Sequence, residues 1–281
     1  MRFRNYLALG ALAWWLSLLP GASGEAYTLL HASRFDTGTL SEIGRQVFVL
    51  EPDSLFARNE HFYLLAPDRE TLDAMAAEST FAYEGIRRIF RGEYDAEPAL
   101  LAMIRNSSTW DALSSEHGLR EDGLAVQTGR ELYFKDDDAM RVRPDRIFHE
   151  IVHLRLRELH GEALPLWLDE GLANHYGWFH AVEYNRLRGI ELTREFPALE
   201  EQELFTLQDV LAMRDYPESP ARAKIFYRQA EVMVRLLDER FSRGEMERFV
   251  ESFRQGSVLD KELEAVMMEK LLEESLQPNI D

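Results

Sequence analysis

The chain of 281 residues contains no cysteine. That excludes disulfides, thiolate metal ligands, a cysteine nucleophile and the lipid-bearing cysteine of a bacterial lipoprotein. Basic residues are in deficit, with 32 Lys and Arg against 50 Asp and Glu and a formal net charge of −18. So acidic a chain repels phosphate backbones, and nucleic acid is not an expected partner. Beyond solubility the acidity says little. No helical-repeat signature is present, so the helices belong to one domain rather than to a solenoid.

Long apolar runs are missing too, apart from Tyr6 to Leu19, which follows Arg2 and Arg4 and precedes Pro20, Ala22, Ser23 and Gly24. The run is short for a membrane span and has the charge order and small-residue exit of a secretory signal. Residues 1–24 are therefore expected to be a signal peptide, with an uncleaved anchor as the alternative. Without them 30 basic residues stand against 50 acidic ones, a charge of −20. An exported chain that needs no disulfide is most simply a bacterial periplasmic or secreted protein large enough to bury its own core. No stable membrane span is expected once the signal is removed.

Two lobes are expected, 25–143 and 144–281. In the first, His61–Ala66 and Ala99–Ile104 read as strands, and Leu124–Gln127 with Glu131–Phe134 as a hairpin. Gln46–Leu50 is a further strand candidate. Asp68 caps a helix running to about Arg91, and Ser107–Ser115 is a short helix. In the second lobe, Glu195–Glu203 is irregular, and helices are expected at Leu204–Met213, after Ser219-Pro220, at Glu245–Arg254 and at Val258–Leu276.

One stretch looks built for chemistry. In an α-helix His149 and His153 lie on one face, about 6 Å apart in rise, where two imidazoles can grip one ion. Glu150 falls beside them, as the H-E-x-x-H motif requires for a carboxylate that works on water at a metal. Pro144 suits a first helical turn, Asp145 suits the positive end of the dipole, and Gly161 suits a stop. Ile147, Phe148, Ile151, Val152, Leu156 and Leu159 give apolar surface on several sides, so the histidines sit in a buried helix and need partners or a metal. A site of this kind needs a further carboxylate from another element. The helix that begins at Pro165 offers Asp169 and Glu170.

Here HEIVH at 149–153 is followed by Trp167-Leu168-Asp169-Glu170-Gly171-Leu172-Ala173. The chain thereby resembles the gluzincin metallopeptidases, in particular the thermolysin-like "peptidase MA" group, whose pattern is H-E-x-x-H followed by W-L-x-E-G-x-A. The resemblance implies an α+β zincin domain whose edge strand lines the cleft, one Zn2+ per chain, and a peptide or protein substrate. It makes His149, His153 and Glu170 the metal ligands, Glu150 the general base, Asp169 a variable position and Gly171 a point of close helix packing. Asn174, four residues after Glu170, is either a hydrogen-bond partner of a ligand histidine or a solvated polar residue. Tyr227, in Lys224–Ala230, matches the family's oxyanion tyrosine, with packing as its alternative role. Tyr176, Tyr184, His175 and His180 compete for that contact, and His160 at the helix end could simply interact with the dipole.

The family's aminopeptidases carry a glutamate in G-x-M-E-N that holds the substrate's free amino group. Gly123–Gln127 has no such carboxylate, which argues for endopeptidase action. The competing reading is a catalytically silent zincin-fold module for binding or assembly in the cell envelope.

Overall fold

The computed structural model describes residues 27–31, 35–92, 97–117, 125–136, 145–161, 164–196, 203–255, 259, 261–275 and 279–280. The expected signal segment lies outside them, as do Gly123, Leu124, Pro144 and Gly256. Among the described residues no helix is long and apolar enough to cross a membrane. The chain divides into two compact units, Met1–Phe81 with Ala96–Arg143, and Ala82–Asp95 with Pro144–Asp281.

The first unit is built on a mixed sheet of six strands: β1 (Thr28–Leu30), β2 (Leu55–Arg58), β3 (Phe62–Ala66), β4 (Ala99–Ile104), β5 (Ala125–Thr128) and β6 (Glu131–Lys135), in the order β1-β2-β3-β4-β6-β5. The strands β3, β4 and β6 run parallel, with Leu64 opposite Leu101 and Leu101 opposite Leu132. All six residues of β4 are buried. Its unbroken apolar sequence is what a parallel strand covered on both faces requires. The β5–β6 pair is antiparallel, as the sequence indicates, and β1–β2–β3 is an antiparallel run at the other edge.

Helices α1 (Glu42–Leu50), α2 (Arg69–Ile89) and α3 (Ser107–His117) accompany the sheet, α2 passing into the second unit after Phe81. The helix α1 replaces the strand expected at Gln46–Leu50. A strand would bury Val47 and Val49 together, but Ile43 and Val47 are buried and Val49 is 75% exposed, a spacing only a helix provides. Ser41 starts it by accepting from the Gly44 amide at 3.1 Å. Val47 then joins Phe56, Leu65, Leu100, Trp110 and Tyr133 in one apolar cluster.

The second unit holds the end of α2 and six helices: α4 (Arg146–His160), α5 (Leu166–Leu187), α6 (Leu207–Ala212), α7 (Pro220–Arg240), α8 (Arg243–Arg254) and α9 (Lys261–Ser275). Glu195–Phe196 (β7) pairs with Asn279–Ile280 (β8), an ordered ladder where an irregular acidic segment was expected. Together the mixed sheet and the nine helices among the described residues agree with the expected α+β class.

Two glycines on α5 bring its backbone close to its neighbours. A Cβ at Gly171 would stand 2.5 Å from the Ala230 carbonyl of α7, and one at Gly177 would stand 2.8 Å from His149 Cα of α4. Neither backbone can yield, so any side chain at either position would push the helices apart.

A buried charge cluster fixes α4 against the end of α2. Arg155 is 1% exposed, and its guanidinium reaches Glu158 at 3.1 Å and the carbonyls of Gly92 at 2.7 Å and Phe90 at 3.3 Å. Tyr83 donates to the same Glu158 oxygen at 2.6 Å. The arginine thus supplies a cation and donors to carbonyls just past the C-terminus of α2. Removing it would take the Arg155 cation away from the buried Glu158 carboxylate. Arg155→Ala is expected to lower the unfolding free energy by about 3–5 kcal/mol in urea titrations; a loss below about 1 kcal/mol would show the cluster to be dispensable.

Candidate metal centre

The motif helix α4 carries His149 and His153 one turn apart, with their Nε2 atoms 3.1 Å from each other. The helix α5 presents Glu170 to both, its Oε2 lying 3.6 Å from each Nε2. The three donor atoms lie within 4.8 Å of one another and could hold a metal ion. The side chains are 12%, 8% and 5% exposed for His149, His153 and Glu170. Glu170 Oε2 is buried without a hydrogen-bond partner.

Those separations decide what the cluster suits. Ligand atoms held about 2.0–2.2 Å from a tetrahedral ion stand about 3.3–3.6 Å apart, close to the spacing seen. Two ring nitrogens facing each other can form a hydrogen bond only if one of them is protonated, and a buried carboxylate oxygen without a donor is costly. A cation between the three resolves both problems.

The groups around the centre set its charge. His153 turns its other ring nitrogen, Nδ1, to Asp169 Oδ2 at 3.0 Å, a close ionic contact that is not aligned as a hydrogen bond. Burial alone would favour the neutral ring, but the negative charges of Asp169 and Glu170 outweigh it and hold the His153 pKa well above its ordinary value. A divalent ion would take the place of that proton, since the metal binds only the neutral ring. Glu150 is also buried, with Oε1 3.6 Å from Arg146 on the preceding turn. Its pKa is pushed up, first by burial and further by Glu170, against the opposing pull of His153 and Arg146.

A tyrosine completes the surroundings of Glu170. Tyr216, between α6 and α7, donates to Glu170 Oε1 at 2.5 Å. Burial of the hydroxyl and the adjacent carboxylate both raise its pKa, so it stays a neutral donor. Tyr227 on α7 is part-buried, its ring 6.0 Å from that of Tyr216.

The sequence-derived site residues therefore divide. His149, His153 and Glu170 come together, with Glu150 adjacent. Asn174 lies part-buried on α5, and its amide Nδ2 has no hydrogen-bond partner among the described residues. The acidic group beside the His153 ring is Asp169, read from the sequence as a variable position. The competing aromatic and imidazole groups have other contacts. Tyr176 donates to Asp238 at 2.6 Å, and His175 meets the same carboxylate at 3.3 Å. Tyr184 packs on Phe148, and His160 lies 3.3 Å from Glu251. Burial, helped by Arg88 and Arg243, pushes the His180 pKa down to about 3 and keeps that ring neutral in the core.

Sequence reasoning missed Tyr216 and, having offered Asp169 beside Glu170, gave it only a variable position. Asp169 had a signal, since it is a carboxylate next to Glu170 on the same helix. Tyr216 had none, being 46 residues from Glu170 in a segment that reads only as a turn. No protein-family model matches the chain, and no curated protein matches it.

Replacing Asp169 by Asn keeps the shape and removes the charge beside His153. Metal affinity, measured by competition with a chromophoric chelator, is expected to fall about 10–100-fold. An unchanged affinity would show that the contact does not tune the ring.

Proposed function

We propose that the chain is a zinc-dependent peptidase of the gluzincin type, a zincin-fold endopeptidase that acts on peptide or protein substrates after export. The observation that best supports this reading is the convergence of His149, His153 and Glu170 with the buried carboxylate of Glu150 beside them. Two imidazole nitrogens and one carboxylate, with a position left for a further ligand, suit zinc better than the harder cations. The sequence pattern from His149 to Ala173 supports the same family.

When bound, zinc supplies Lewis-acid chemistry, lowering the pKa of water to about 7 and polarising the scissile carbonyl. Glu150 accepts the proton of the attacking water and delivers it to the departing amine. The upward shift that burial gives Glu150 brings its basicity nearer neutrality, where a group that both takes and returns a proton works best. Arg146 opposes that rise, favouring the ionised carboxylate that takes up the proton. Tyr227 donates a hydrogen bond to the developing oxyanion. No covalent intermediate is needed. The lack of a carboxylate in Gly123–Gln127 favours cleavage within a chain over removal of an N-terminal residue.

The test is Glu150→Gln, which keeps the shape of the site and removes the base. The variant is expected to retain its metal and to hydrolyse internally quenched peptides about 100- to 10,000-fold more slowly than the parent protein. Parent and variant turning over at equal rates would contradict the assignment of the base. A zinc-loaded parent protein that hydrolyses nothing across a broad peptide mixture would point instead to a silent binding module.

A further inference from the structure

We propose that Tyr216 is a positioning residue that makes Glu170 a single-oxygen metal ligand. The inference rests on the metal-centre reading above and adds a residue to it.

A glutamate can meet a metal ion through one carboxylate oxygen or both. Which it does decides how many positions remain for water and substrate. Here the two oxygens of Glu170 have different surroundings. Oε1 accepts the Tyr216 hydroxyl at 2.5 Å, whereas Oε2 lies 3.6 Å from both ligand nitrogens and has no hydrogen-bond partner. The hydroxyl engages a lone pair of Oε1 and draws that oxygen away from the histidine pair, which leaves Oε2 as the donor to the ion. The carboxylate cannot relax by moving its backbone, because Gly171 is pressed against the Ala230 carbonyl.

Tyr216 is well placed for this. The residue is 43% exposed and sits beside the ring of Tyr227, yet its hydroxyl meets one of the most deeply buried carboxylates of the unit. Its neighbours Asp215 and Glu218 are exposed. A partly exposed tyrosine whose hydroxyl reaches inward to one oxygen of a buried carboxylate is suited to orienting that carboxylate.

The experiment uses the full chain and Tyr216→Phe, which removes only the hydroxyl. Far-ultraviolet circular dichroism of both proteins checks that the fold is kept. Two readouts are taken: zinc affinity by chelator competition, and the visible absorption of the cobalt(II)-substituted protein, whose band intensity falls when the ion gains a ligand. The variant is expected to bind zinc about 10–100-fold more weakly, and its cobalt bands are expected to weaken and shift as the freed Oε1 joins the ion. Unchanged affinity and unchanged bands would overturn the proposal. Weaker affinity with unchanged bands would overturn it as well, because a general loosening of the site lowers affinity without changing how many oxygens bind. If the unsubstituted protein takes up neither metal, the metal-centre reading itself fails, which is a different result from a metal-bound parent with an indifferent variant.

Discussion

The candidate centre depends on how closely α5 approaches α4. The histidines of the candidate centre belong to one helix and its glutamate to the other, so the distance between donor atoms is set by the distance between backbones. Gly177 lets α5 lie against the backbone of His149 itself, and Gly171 lets its other side lie against α7. Ordinary helix pairs are held about 8–10 Å apart by their side chains. Without that spacer, Glu170 Oε2 arrives 3.6 Å from both imidazoles. The Arg155 cluster acts on the same helix from another direction, holding α4 to the end of α2.

Such packing brings together groups that repel or desolvate one another. Glu150, Asp169 and Glu170 surround one histidine pair, and Glu150 and Glu170 are nearly removed from water. Carboxylates in that setting cost several kcal/mol each unless positive charge accompanies them. The carboxylates around His153 favour its protonated ring, and the guanidinium of Arg146 lies 3.6 Å from Glu150. A divalent cation would provide more, at the point where the three donor atoms already converge. The arrangement is poorly suited to a purely structural polar cluster, which would satisfy Glu170 Oε2 with a hydrogen-bond donor rather than leave it facing two ring nitrogens.

Much of this was legible in the sequence where the signal is local. Helical periodicity and the spacing of His149 and His153 placed both rings on one face, and the Trp167–Ala173 pattern singled out Glu170 from its neighbour Asp169. The continuous apolar run of Ala99–Ile104 marked a covered strand. The hairpin around Gly129 was marked by its turn residues. What could not be read was set by packing at a distance. Val47, Val49 and Leu50 have strand-like composition, but burial at Ile43 and Val47 makes the segment a helix. Sequence spacing put Asn174 on the face of Glu170, yet the nitrogen of the His153 ring that faces away from His149 meets Asp169. Tyr216 reaches Glu170 only because the segment before α7 folds back on α5, a contact with no local signature.

The central claim is that these three side chains hold a metal ion, and anomalous diffraction tests it most directly. Crystals of the protein purified without added metal would be measured on both sides of the zinc absorption edge. A single strong anomalous peak about 2.0–2.2 Å from His149 Nε2, His153 Nε2 and Glu170 Oε2 is the expected result. No peak there, in these crystals and again after a zinc soak, would contradict the claim and leave a buried polar cluster without a metal.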